Sequence, residues 1–157
     1  MRRFRLDGEE IVVSLPRVER DVLAQLLPQL RELLMGAGDP MLRRLNPPAR
    51  PDDAEAEQRY RDLVDDDLLL ARLESLETVE EGLDGARLDD EGVAAWMRSL
   101  NSLRLVLAER LASEGIDLVA FDADALDDEL EPLGHLYEWM GWTLSDLLDA
   151  AAPPLDG

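Results

Sequence analysis

The stretch from Val93 to Leu111, VAAWMRSLNSLRLVLAERL, limits the possible folds most. Wound as a helix, it gathers Val93, Trp96, Met97, Leu100, Leu103, Leu107 and Leu111 into one apolar arc roughly 120° wide, as on a core-facing helix. Arg104 falls inside that arc, between Val93 and Met97 in projection. A guanidinium keeps its charge in a protein, so a core position for Arg104 calls for an anionic partner. Glu80 is the best placed, because it lies beside Leu69 and Leu73 on the apolar side of an earlier helix. The sequence therefore predicts a buried ion pair between Arg104 and Glu80, with a structural role rather than a catalytic one.

A chain of 157 residues fits a single domain, 1–157, that withdraws about two thirds of its unfolded surface from water. No apolar run approaches the roughly 18 to 20 residues of a membrane span, and MRRFRLDGEE lacks the apolar stretch of a signal peptide. There is no cysteine, which excludes disulfides, thiol nucleophiles and thiolate metal sites. The expected location is the cytoplasm.

Charge is the unusual feature of the composition. Sixteen basic against 36 acidic residues give a net of −20. Residues 1–50 carry a net of +2 and residues 51–157 a net of −22. Such a surface repels nucleic acid and anionic membranes, and it favours solubility or a basic partner. A solvated acidic exterior is the plainer explanation. Every basic residue is Arg, which points to a GC-rich genome, and a halophile would give a similar balance.

The expected fold is all-α, a single-domain bundle of five to six helices with a small N-terminal β-hairpin. The hairpin spans 3–15, with Asp7-Gly8 as its turn and Ile11, Val13 and Leu15 alternating. Helices are predicted over about 16–35, 53–64, 67–83, 90–113 and 128–151. Ser14 and Pro16 mark the start of the first, and Pro28 lies on its outer face. The connector 36–53 is rich in Pro and Gly and is expected to cross the bundle through Met41, Leu42 and Leu45. Asp65–Asp67 is read as a helix start, and Asp89 or Asp90 as the cap of the central helix. That helix should sit at the centre, with the hairpin at the periphery.

No catalytic set emerges. The single histidine, His135, excludes any site that needs two, and Glu131 and Glu138 beside it make only half of a di-metal carboxylate site. DADALDD, 122–128, opens like an EF-hand loop, but Leu126 replaces an oxygen ligand and Asp127 stands where Gly is required. Phosphate-binding loops, dinucleotide fingerprints and nucleophile elbows are missing from the sequence. No catalytic residue, metal site or cofactor is expected. One group does point to a partner. On the last helix His135, Trp139, Trp142 and Asp146 follow each other at helical spacing, apart from the apolar side centred on Leu133, Met140 and Leu144. Tryptophan beside a polar rim is characteristic of interfaces, and Trp142 should be the more exposed of the two.

The segments WMRSLNSLRLVLAERL and LYEWMGWTLSDLLDA, with LESLETVEEGL and the N-terminal hairpin, resemble an actinobacterial family termed domain of unknown function 2017. The likeness covers nearly the whole chain and rests on packing motifs. Members are sometimes labelled transcriptional regulators or aerial-mycelium and sporulation proteins, and their genes often neighbour the adaptor of the Clp protease. The resemblance implies no catalytic residues. It agrees with a GC-rich source and speaks against a halophile. The function expected is thus a non-enzymatic regulatory or adaptor protein that binds another protein, or a second copy of itself, and neither nucleic acid nor membrane. Two alternatives are an acidic nucleic-acid mimic that sequesters a DNA-binding protein and an enzyme built on a metal or on carboxylates with His135.

Overall fold

The computed structural model describes residues 2–36, 54–119 and 121–152, and for 54–66 the backbone alone. The chain runs β1 (Phe4–Asp7), β2 (Glu10–Val13), α1 (Arg17–Met35), α2 (Ala54–Glu81), β3 (Ala86–Leu88), α3 (Asp90–Ser113), a 3-10 turn (Ala123–Ala125) and α4 (Glu131–Ala151). The hairpin registers Phe4 with Val13 and Asp7 with Glu10, which leaves Gly8 and Glu9 as a two-residue loop. Gly8 has φ +66°, a conformation that costs other residues steric strain.

The sequence reading needs two corrections here. Four α-helices are found among the described residues, not five to six, because α2 is continuous where two helices were expected. Asp65–Asp67 do not start a new helix. Each Asp costs a helix only about 0.7 kcal/mol, and no Gly or Pro interrupts the stretch. The second correction adds a strand. β3 pairs antiparallel with β2, Ile11 opposite Leu88 and Val13 opposite Ala86, so the hairpin is part of a three-stranded sheet. A three-residue strand is too short for alternation to reveal it.

Helix ends follow local chemistry. Asp89 caps α3 by accepting from the Gly92 N–H at 2.8 Å, as expected of one of the two candidates. α1 begins without a side-chain cap, since Pro16 holds that position. Ser14 serves the sheet instead, its N–H donating to the Arg3 carbonyl at 2.8 Å. α4 starts at Glu131 rather than 128, with Pro132 in its first turn, where a missing N–H costs nothing. The expected crossing of Met41, Leu42 and Leu45 lies outside the described residues.

α3 is central. It packs against α4 and α2, and also touches α1 and β3. Trp96, Leu100 and Leu111 are out of contact with water, and Trp96 and Leu100 share one core with Leu23, Leu27 and Leu30 of α1, Leu76 and Val79 of α2, and Met140 and Leu147 of α4. The helix is not wholly enclosed, because Glu91, Ala94, Arg98 and Asn101 form an exposed edge. Nor is the hairpin only peripheral. Phe4, Ile11 and Val13 belong to the core, and Phe4 meets Trp96 edge to face with ring centroids 5.8 Å apart. No helix among the described residues is long and apolar enough to cross a membrane.

Arg87 of β3 reaches across the sheet to both ends of the hairpin loop. It donates to Asp7 Oδ2 at 2.9 Å and to Glu10 Oε1 at 3.1 Å. The hydrogen bond from Arg87 holds the Asp7 carboxyl below its ordinary pKa. A carboxyl whose pKa falls on folding adds stability at neutral pH, and that contribution fades as the pH drops through the lowered value. Arg87→Gln should return the Asp7 titration upward toward the ordinary carboxylate range, read by NMR of its side-chain carboxyl carbon. An unmoved midpoint would show that Arg87 does not set it.

Candidate functional site

The predicted ion pair between Arg104 and Glu80 does not form. Glu80 of α2 binds Arg31 of α1 through both carboxylate oxygens, a bidentate contact that holds the two helices together. The hydrogen bond to Glu80 raises the Arg31 pKa above its ordinary value. Arg104 turns the other way, to α4. Its guanidinium carbon stands 5.4 Å from the centre of the Tyr137 ring, with Nη2 3.5 Å from the hydroxyl. The error was one of neighbour, since a helical wheel gives a direction and not the element lying there. A ring face also accommodates a half-buried cation, which relaxes the demand for a carboxylate. Tyr137 in turn meets Phe121 edge to face at 5.5 Å.

The four residues singled out on α4 do not form one surface. Trp139 and Asp146 are half-buried and tied to the N-terminal part of the chain. Arg3 donates from Nε to Glu19 Oε1 and from Nη1 to Asp146 Oδ2, while the Trp139 indole N–H donates to the same Glu19 oxygen. Burial opposes the Arg3 charge, but hydrogen bonds to Glu19 and Asp146 outweigh it and raise its pKa. This network fastens the segment before β1 to the starts of α1 and the last turns of α4. The signal for Glu19 was present in the sequence, one turn before Leu23 on the buried face of α1. Nothing in the sequence marked Arg3 among its neighbours Arg2 and Arg5.

Trp142 takes no part in the network and is 60% exposed. It is the more exposed of the two tryptophans of α4, as the sequence led one to expect. Around it the outward stripe of the helix reads Glu131, His135, Glu138, Trp142, Ser145 and Asp149. α4 contains four acidic residues and neither Lys nor Arg.

His135 sits about two turns from Trp142, and it is exposed. Its Nε2 stands 3.2 Å from Asp124 Oδ1 and 3.3 Å from Glu131 Oε1, and the three ligand atoms lie within 4.8 Å of one another. Asp124 comes from the 3-10 turn, which docks closely at Gly134, where a Cβ would stand 2.6 Å from Leu126 Cδ1. Glu138, expected beside His135, is used otherwise, accepting from the Ala123 N–H at 3.2 Å. The arrangement suits a surface contact of the imidazole with two carboxylates. Elsewhere a groove of about 460 Å³ separates α2 from α3, where Arg98 crosses to donate to Ser75 Oγ at 2.7 Å. Small residues, Ala71, Ala94 and Ala95, line its floor.

Glu19 is 13% exposed and serves two donors, so its loss leaves both unpaired in a partly buried place. Glu19→Ala should lower the unfolding free energy by about 1 to 3 kcal/mol in urea titrations. Asp146→Asn should cost less, because its side chain is 43% exposed.

A family model described as Domain of unknown function (DUF2017) matches residues 1–151. No curated protein and no solved structure matches the chain.

Proposed function

The chain belongs to the DUF2017 family, whose description assigns no activity, and we propose that it is a non-enzymatic regulatory or adaptor protein that binds another protein through the outer face of α4. The observation that carries this reading is the exposure of Trp142. Trp96 is sealed in the core and Trp139 has its N–H bonded to Glu19, whereas Trp142 keeps 60% of its surface in water. A large exposed indole loses apolar contact area to solvent, and interfaces draw much of their energy from such side chains. The polar residues around it, Glu138, Ser145, Asp146 and Asp149, supply the rim that surrounds such an anchor.

The proposed role needs no membrane and no nucleic acid, and a net charge of −20 disfavours both at close range. An enzyme built on Asp124, Glu131 and His135 has the ligand spacing in its favour. Against it, these side chains are 82%, 41% and 49% exposed, so the group lies open to water instead of in a shaped cavity.

Photo-crosslinking tests the reading. A benzoylphenylalanine in place of Trp142 is compared with one in place of Met35, which is 66% exposed on α1. In cells carrying the native gene, the first should give a discrete covalent adduct with one other protein and the second should not. No adduct from position 142, or the same adducts from both, would overturn the proposal.

A further inference from the structure

The chemistry of the partner can be narrowed from the same face, on the reading that α4 is the contact surface. We infer that its occupant is an Arg-bearing cationic segment of another protein, seated with a guanidinium over Trp142 between the carboxylates of the outward stripe. Glu131 and Glu138 lie seven residues apart, about 10.5 Å along the helix, and Asp149 lies seven beyond Trp142. Trp142 thus stands with carboxylates along the axis on both sides of it. α4 carries no Lys or Arg to neutralise them, and Asp124, Asp127, Asp128 and Glu129 add charge at its N-terminal end.

Two cations do approach from the N-terminus. Arg2 and Arg3 line a notch of about 410 Å³ with Asp146 and Asp149, and Arg3 occupies one oxygen of Asp146. They serve the C-terminal end of the stripe, while Glu131 faces His135 and Glu138 accepts from the Ala123 N–H, each through a single oxygen. Arg3 also illustrates how a guanidinium sits on this helix. Arg104 supplies the other half of the chemistry, a guanidinium on an aromatic ring of α4, at Tyr137. An exposed indole flanked by carboxylates offers both at once, and Arg stacks on rings and pairs with carboxylates better than Lys does. A second copy of this chain fits poorly, because a two-fold pairing through this face sets one acidic stripe against the other.

The test titrates the full chain with a capped nonapeptide carrying four arginines, against the same peptide with citrulline at those positions. Indole N–H signals are followed by NMR. The Arg peptide should move the Trp142 signal and leave Trp96 in place, with affinity falling as salt rises. Trp142→Ala should weaken binding about two- to fivefold, the range of an exposed cation–π contact, and Asp149→Asn should weaken it as well. Both positions are at the surface, so the variants retain the core. Equal binding of the citrulline peptide would overturn the inference while leaving the contact face intact. So would absence of binding, or binding indifferent to Trp142→Ala. Self-association in sedimentation that Trp142→Ala abolishes would replace the foreign partner with a second copy. The crosslink at position 142 reports independently on whether the face is used at all.

Discussion

Withdrawing Trp96 from water requires neighbours on several sides, and the layout of the other elements follows from it. The indole is fully buried near the start of α3, and its burial is worth roughly 4 to 6 kcal/mol in area terms. α2 and α4 cover part of α3, and the end of α2 turns into β3 beside it. Phe4 of the hairpin closes another side by standing edge-on to the ring. A lone hairpin is marginal in water. Here it gains a third strand and an aromatic anchor together, and both lie in the segment 86–96.

Arginine joins these elements at their margins. Arg3 links the N-terminal segment to α1 and α4, Arg31 links α1 to α2, and Arg87 links β3 to the hairpin loop. Arg20 of α1 reaches Asp84 at 3.2 Å, in the turn before β3. Exposed and partly exposed pairs of this kind contribute little to stability, so their main effect is on geometry. A guanidinium has five donors in a fixed fork, which lets Arg3 and Arg87 each hold two carboxylates. Lysine would not impose the same angles. The acidic excess therefore has structural uses near the sheet, whereas α4 has four acidic residues and no Lys or Arg of its own.

Periodic features were legible in the sequence and pairwise ones were not. The apolar arcs of α1, α3 and α4 placed Leu23, Leu27, Leu100, Leu111, Met140 and Leu147 in the core correctly, because burial of a helix face repeats every turn. The hairpin was legible from Asp7-Gly8 and the alternating residues, although the loop is Gly8-Glu9, one residue later than expected, because Asp7 pairs with Glu10. β3 was not, because three residues carry no period. The break expected at Asp65–Asp67 came from treating carboxylates as a helix start when they only complement one. Arg104 was rightly marked as a cation on a buried face, but its neighbour depends on how helices pack. That information lies between elements. Of the interface candidates, Trp142 was correctly set apart from Trp139, while the engagement of Trp139 and Asp146 by Arg3 and Glu19 had no local signal.

The sheet has a consequence for the order of assembly. β2 pairs with β3 across 77 residues, Ile11 with Leu88, and Arg3 reaches Asp146 across 143. Synthesis passes Ile11 long before it reaches Leu88, and Asp146 comes later still. Closing such long loops costs entropy that only non-local contacts return. Helical hairpins such as α3 and α4 close far shorter loops and form on their own timescale. The hairpin residues are therefore among the last to settle. The contact of Arg3 with Asp146 forms only once α4 has been synthesised.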